Sequence, residues 1–194
     1  MTGPHSLSIE QHLRDRLRNR TPRRVFETNL RPAAVLVPLV SEPDGHRLLL
    51  TRRSSTLRRQ PNEISFPGGA IDSRDGSPLD AALRESEEEV GLMRSDVEIL
   101  GQMDELVTVT GFVITPFVGG VRGPYPFRAN HEVAELILVP LASLRQKEVL
   151  RVETRSVRPG LTVPVYHYQH GPHDIWGITG RLLKELLALL PEGT

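Results

Sequence analysis

The stretch FPGGAIDSRDGSPLDAALRESEEEVGL, Phe66 to Leu92, decides how this chain is read. Its second half has the marks of a helix with a defined start and stop. Ser77 suits the N-cap, Pro78 sits where the first helical residue needs no N–H, and Gly91 suits the position after the last turn. At 3.6 residues per turn, Leu79, Leu83, Ser86 and Val90 fall on one stripe, which is expected to face the core. Glu85, Glu88 and Glu89 are spaced i, i+3, i+4 and share an adjacent face, whereas Glu87 points elsewhere. Like charges at such spacings repel by roughly 0.2–0.5 kcal/mol per pair, and the helix dipole disfavours anions in a last turn. A segment that obeys the capping and patterning rules but breaks the charge rules is where a functional site is expected. A bare run of glutamates is ordinarily a solvated face. Three carboxylates beside a buried stripe, preceded by Gly68-Gly69, instead form a set of hard oxygen ligands suited to Mg²⁺ or Mn²⁺.

Working outward, Ala33 to Val40 is a β-branched apolar run, Pro43-Asp44-Gly45 is a turn, and His46 to Arg52 continues as a second strand of a hairpin. Arg52 to Asn62 is a basic loop, and Ile64 to Phe66 a short strand that leads into the glycines. Before the hairpin, Ser6 to Asn19 has the spacing of an amphipathic helix, with Ile9, Leu13 and Leu17 on one side, followed by a polar connector over Thr21 to Arg31. After the long helix, strands are expected over Val97–Met103, Leu106–Thr110 and Phe112–Val118, the last closed by Gly119-Gly120. A Pro- and Gly-containing loop, Gly123 to Asn130, precedes a strand at Glu132–Val139 and a short helix at Leu141–Gln146. Val152–Arg158 and Thr162–Gln169 read as late strands, and Ile175–Leu190 as a closing helix. Many strands, few helices and no internal repeat point to an α+β fold, a mixed sheet covered by helices on both sides. The expected division is an N-terminal helix and connector over 1–30 and one main domain over 31–194.

Composition narrows the function classes. At 194 residues the chain can bury a sizeable core, and 38% hydrophobic with 25% charged residues fits a globular protein. A net charge of zero argues against work on a nucleic-acid backbone. Lys147 and Lys184 are the only lysines, so 22 of the 24 basic residues are arginine, a bias that codon usage explains as well as phosphate binding does. With no cysteine, disulfides, thiolate zinc sites and cysteine nucleophiles are excluded. The N-terminal MTGPHSLSIE has no apolar core of a signal peptide and no window approaches a membrane span, so a cytoplasmic protein is the default expectation.

Gly69, Asp75 and Arg84-Glu85-Ser86-Glu87-Glu88-Glu89-Val90-Gly91-Leu92 resemble the Nudix box, in which a glycine, an acidic residue and the run R-E-U-x-E-E-x-G-U stand at fixed spacing. The chain departs from that pattern at Ser86, at Asp75 in place of glutamate, and in having eight residues between Asp75 and Arg84 rather than seven. The aspartate and the insertion look like one branch of the family, the coenzyme A pyrophosphatases. That branch has an upstream motif, L-L-T-x-R-S-x3-R-x3-G-x3-F-P-G-G, matched here by Leu49-Leu50-Thr51, Arg53-Ser54, Arg58 and Phe66-Pro67-Gly68-Gly69. Asn62 stands where the motif has glycine, and asparagine is the residue that best tolerates a left-handed backbone after glycine. Thr110–Pro116, Glu132-Val133 and Ile175–Thr179 also look like the branch.

The resemblance implies a Nudix-type α/β/α sandwich that hydrolyses a diphosphate with Mg²⁺ or Mn²⁺, coenzyme A giving 3′-phosphoadenosine 5′-phosphate and phosphopantetheine. It implies Glu85 and Glu89 as main metal ligands, with Glu88 and the Gly69 carbonyl beside them. Arg84 is expected to pair with Asp75 and lock the loop to the helix. Arg53 and Arg58 are candidates for substrate phosphates, with Phe66 and Gly68 in the same motif. The general base is left open among Glu88, Glu89 and Glu132. His167, His170 and His173 have the spacing of no standard zinc site and read as a wet loop, while Trp176 reads as core rather than as a stacking platform. The partner is a small molecule, neither nucleic acid nor membrane, and a homodimer is left open. Competing readings are the same chemistry on another nucleotide such as ADP-ribose, a non-catalytic binder of coenzyme A or nucleotides, and an acidic-helix module for Ca²⁺.

Overall fold

The computed structural model describes residues 8–27, 29–57, 60–158 and 160–191. Helix α1 (Ile9–Arg18) is N-capped by Ser8, whose hydroxyl accepts the Gln11 N–H, and Leu13 and Leu17 are its buried residues. Strands β1 (Arg31–Glu42) and β2 (Gly45–Arg53) form the expected hairpin, paired from Leu39↔Leu48 to Glu42↔Gly45. Then come β3 (Ile64–Ser65), β4 (Gly68–Ala70) and helix α2 (Pro78–Val90). Strands β5 (Val97–Gln102), β6 (Leu106–Val107), β7 (Phe112–Arg122) and β8 (Val133–Pro140) follow. The chain closes with β9 (Leu150–Arg158), β10 (Leu161–His170), β11 (His173–Ile175) and helix α3 (Gly177–Leu189).

Strand β1 is the axis of an eight-stranded mixed sheet. One edge of β1 pairs antiparallel with β2 along its C-terminal half and with β4 along Ala33–Val35, and the other edge pairs parallel with β7 over its full length, Arg31↔Phe112 to Ser41↔Arg122. Because alternate residues of β1 point to opposite faces, one strand serves two cores. Ala34, Leu36 and Val40 join Ala82, Leu83 and Val90 of α2 on one face, while Val37 and Leu39 join residues of α1 and α3 on the other. The result is the α+β fold with helices on both sides of a mixed sheet.

Four local expectations are corrected. Strand β7 does not end at Gly119-Gly120 but runs through them to Arg122, because a side chain at Gly119 would strike Val97 Cγ1 at 2.6 Å, so the glycine serves close packing inside the strand. The Leu141–Gln146 helix is two 3₁₀ turns, Ser143–Arg145 and Lys147–Val149. The closing helix starts only at Gly177, because Ile175 belongs to β11 and pairs with Tyr168, and the late strands, which form as expected, make a separate antiparallel sheet ordered β11-β10-β9. The histidine segment is no wet loop. His167 is buried on β10 with Nδ1 3.0 Å from Asp174 Oδ2, and Trp176 stacks on it at 5.7 Å and 8° while remaining 46% exposed, so Trp176 is not core. Of the sequence expectations, Ser6, Leu7, Arg58 and Pro159 fall outside the described residues. Among the described residues no helix is long and apolar enough to cross a membrane.

Helix α3 lies so close to β10 that a side chain at Gly180 would overlap the backbone carbonyl of Tyr166 and come within 3.2 Å of that of Ile175. Alanine is a better helix former than glycine by about 1 kcal/mol, but overpacking against backbone costs about 1–3 kcal/mol. Gly180→Ala is therefore expected to destabilise the protein, read as a lower urea midpoint at unchanged m-value.

Candidate active site

The site is assembled where β4 is pressed between β1 and α2. Gly68 adopts φ +155°, and a side chain there would overlap the Ala34 carbonyl and lie 2.6 Å from Val35 Cα. At Gly69 a Cβ would lie 2.6 Å from the carboxyl carbon of Glu85. The two glycines thus let the backbone approach strand and helix at once, and the Glu85 carboxylate lies against the Gly69 backbone. Pro67 contributes its carbonyl to the Leu36 N–H at 2.9 Å. Phe66, grouped in sequence with the substrate contacts, is 2% exposed and belongs to the core, where it anchors the loop from below.

Helix α2 begins and ends as its sequence dictates. The Ser77 hydroxyl accepts the Asp80 N–H at 3.1 Å, and Gly91 is left-handed with its N–H on the Glu87 carbonyl. The buried stripe contains Ala82, Leu83, Ser86 and Val90, with Leu79 only partly covered. Ser86, which replaces an aliphatic residue in the Nudix pattern, satisfies its hydroxyl on the Ala82 carbonyl at 2.7 Å. Glu89 joins the buried side of the helix at 5% exposure.

Arg84 organises the polar surface. Its guanidinium donates a bidentate pair to Asp75, Nε to Oδ1 and Nη2 to Oδ2, both at 2.9 Å. Nη1 reaches Glu85 Oε1 at 2.9 Å and Glu88 Oε2 at 3.1 Å. The Asp75 side chain is 4% exposed, so this is no solvated surface pair. Arg84's hydrogen bonds hold the Asp75 carboxyl down at about 2 although burial alone would raise it, and the same contacts push the Arg84 guanidinium above its usual range.

Glu89 stands in the opposite situation. Burial pushes its carboxyl up to about 7, Glu85 and Glu132 add to the rise, and only the Gly68 N–H at 3.2 Å and the Arg53 guanidinium at 3.8 Å oppose it. Burial raises Glu85 as well, with Arg84 opposing and Glu88 and Glu132 adding. A buried carboxylate group so poorly compensated is stabilised by a cation, and the donors are all hard oxygens. The residues present therefore fit a divalent ion such as Mg²⁺ or Mn²⁺. Among the described residues no three acidic or histidine side chains converge on one point, and Arg84 bridges Glu85 and Glu88.

Two further segments meet this centre. The basic motif at the end of β2 brings Arg53 beside Glu89, and within the described residues Arg53 Nε is buried without a hydrogen-bond partner. The loop after Arg53 turns at Gln60 and Asn62 with φ of +52° and +61°, the left-handed backbone that glycine would supply in the motif. Asn62 also accepts Arg52 Nη1 at 3.4 Å, and Arg52 Nε donates to Glu135 at 2.9 Å, which in turn faces His173 at 3.3 Å. Glu132 arrives from the other side, on the loop before β8, and its carbonyl accepts the Ser54 N–H at 2.7 Å. Sequence reasoning did not find Asn130, Glu135 or the short strand β4. Asn130 and Glu135 act through backbone or through distant partners, and a three-residue strand leaves no alternation to read.

Comparison with known proteins agrees with this geometry. The NUDIX domain family matches residues 30–159. A protein of Salmonella dublin named as an uncharacterized Nudix hydrolase NudL is 38% identical over 188 residues, covering 96% of this chain and 93% of that one. A namesake from Photorhabdus laumondii is 40% identical over 169 residues, covering 85% and 87%. A Nudix hydrolase structure from Alicyclobacillus acidocaldarius superposes with TM-score 0.50 at 20% identity over 86% of this chain and 96% of that one. A C. elegans Ap4A hydrolase binary complex superposes with TM-score 0.51 at 21% identity over 57% and 80%, and both structures speak to the fold alone.

The Asp75–Arg84 pair makes a sign-definite prediction. The folded Asp75 carboxyl lies at about 2 against an ordinary 3.8, so its stabilisation is full above 3.8 and is lost as pH falls from there through about 2. Asp75→Asn is expected to lower the urea midpoint at pH 7, and the gap to the parent protein should narrow in melts taken at successively lower pH below 3.8. With a family match across most of its length, near-full-length relatives at close to 40% identity, and a glycine loop packed on a capped glutamate helix, the chain belongs to the Nudix hydrolase family.

Proposed function

We propose that this protein hydrolyses the diphosphate of coenzyme A or of its derivatives, yielding 3′-phosphoadenosine 5′-phosphate and phosphopantetheine or acyl-phosphopantetheine. The observation that carries the reading is the meeting of Arg53 with Glu89 at 3.8 Å, because it joins the basic upstream motif to the carboxylate helix in one site. The buried Arg53 Nε without a partner among the described residues supports a role in receiving a phosphate oxygen. Arg58, outside the described residues, is the second candidate for that role.

Glu85 and Glu89 are assigned as the metal-holding carboxylates, with Glu88 and the Gly69 carbonyl beside them. A divalent ion, when bound, neutralises diphosphate charge and makes a water more acidic. The rest is work for the protein's own groups. Arg84 keeps the Gly69–Asp75 loop against α2 and so positions the carboxylates. Gly68 offers its N–H to Glu89, and Arg53 holds the phosphate. Of the three carboxylates considered as general base, Glu88 is engaged by Arg84 and Glu89 is buried against the glycine loop. Glu132 is assigned as the base that takes the proton of the attacking water, as the carboxylate whose charge is felt by both Glu85 and Glu89 and which Arg84 does not hold.

Incubation of the purified protein with coenzyme A and Mg²⁺ or Mn²⁺, with products separated by chromatography, is expected to yield 3′-phosphoadenosine 5′-phosphate. Cleavage of ADP-ribose with coenzyme A left intact would move the assignment to another nucleotide. Glu85→Gln and Glu89→Gln are each expected to slow turnover by about 100-fold or more, at or beyond the upper end of what loss of a group supporting a metal ligand costs. Unchanged rates in both variants would remove the metal-site assignment.

Gly69→Ala offers a check that does not pass through turnover. The added methyl would meet the Glu85 carboxyl, the far end of a flexible side chain, rather than backbone. Mn²⁺ binding followed by electron paramagnetic resonance should weaken while the thermal midpoint changes little.

A further inference from the structure

Four hydrogen bonds converge on the short segment between Asn130 and Val133. The Asn130 N–H donates to the Glu89 carbonyl at 3.0 Å, in the last turn of α2 where carbonyls lack helical partners. The Asn130 side-chain oxygen accepts the Glu132 N–H at 2.8 Å, closing an Asx turn. The Asn130 carbonyl accepts the Val133 N–H at 3.3 Å, and Ser54 fixes the Glu132 carbonyl at 2.7 Å. Two residues before Asn130, the Arg128 N–H donates to the Val90 carbonyl at 2.9 Å. Glu132 itself lies on no regular element, and its side chain is 41% exposed. What fixes its backbone is therefore this turn, anchored on the helix that bears Glu85 and Glu89.

We propose that Asn130 is a positioning residue for Glu132, setting the distance between the Glu132 carboxylate and the carboxylates of α2. The inference rests on the assignment of Glu132 as a working group of the hydrolase. Its physical content is that one residue joins the two elements, its backbone N–H on the Glu89 carbonyl at the end of the helix and its side-chain oxygen on the Glu132 N–H. A loop residue without that turn would sample several backbone states, and a displacement of about 1 Å at a reacting group can cost a hundredfold in rate.

The test is a double-mutant cycle on the full-length protein, with coenzyme A as substrate. Asn130→Ala should lower kcat about tenfold or more with KM changed by less than about threefold, since no phosphate-binding group is touched. Asn130→Asp keeps an oxygen acceptor in the same place and should recover most of the loss. In a Glu132→Gln background Asn130→Ala should cost nothing further, because its route to the chemistry has been removed. Mn²⁺ affinity measured without substrate should stay within about twofold, as the ligands on α2 and at Gly69 keep their places. Full additivity of the two substitutions, a kcat unchanged by Asn130→Ala, or a tenfold loss of Mn²⁺ affinity would each overturn the proposal. If Asn130→Ala unfolds the protein, the cycle is run with Asn130→Ser, whose hydroxyl makes the same turn more weakly and should give a smaller loss of the same kind. A parent protein that cleaves no diphosphate would instead refute the proposed function, which separates the two failures.

Discussion

Everything at this site depends on two strands and one helix approaching more closely than side chains would permit. At Gly68 the loop lies on β1 so tightly that a Cβ would overlap the Ala34 carbonyl, and at Gly69 the Glu85 carboxyl occupies the space a Cβ would take. That approach fixes the height of the loop above the sheet, the depth of Glu89 beneath it, and the direction from which Arg53 can arrive. A side chain at Gly68 would push β4 off the β1 backbone, whereas one at Gly69 would displace the Glu85 carboxyl from its place in the cluster.

Packing brings the carboxylates together, and Arg84 makes their assembly tolerable. Its fork ties Asp75 in the loop to Glu85 and Glu88 on the helix, so a single cation offsets part of the repulsion that three glutamates in one turn and a half create. Glu89 is left with only a backbone N–H and a more distant guanidinium. The site therefore contains one carboxylate held ionised by arginine, Asp75, and one kept reluctant to ionise by burial, Glu89. Two acids of one cluster are thus driven in opposite directions, one by a guanidinium and the other by burial.

Much of this was legible in the residues, for reasons that can be named. Ser77, Pro78 and Gly91 are local signals whose effect is confined to a helix end, and α2 begins and ends where they place it. The Pro43-Asp44-Gly45 turn likewise needs only its neighbours. Asparagine can take the backbone of a glycine, and the φ of Asn62 is +61°. What could not be read is set by distant partners. Gly119 belongs inside β7 because Val97 comes close, His167 is buried because Trp176 and Asp174 cover it, and Glu89 is buried because β1 and β4 lie over that turn of the helix. Spacing put Glu85, Glu88 and Glu89 on one face, but only tertiary packing distinguishes the buried one from the two that Arg84 holds. The hydrogen bonds of Asn130 are likewise invisible until α2 and the loop before β8 are seen together.

The parallel ladder between β1 and β7 bears on how the protein acquires its shape during synthesis. It joins Arg31 to Phe112 and Ser41 to Arg122, so the central strand waits some eighty residues for its longest partner. The hairpin of β1 with β2 is local, yet the apolar face of α2 packs not only on Leu36 and Val40 but also on Phe117 and Val121, which are made later. A contact of such sequence separation carries a large loop-closure cost and is formed late. The glutamate helix thus emerges from the ribosome well before the strand that completes its seat. Until then its apolar side is open to chaperones or to other nascent chains, and its dense negative charge is a local deterrent to unwanted association.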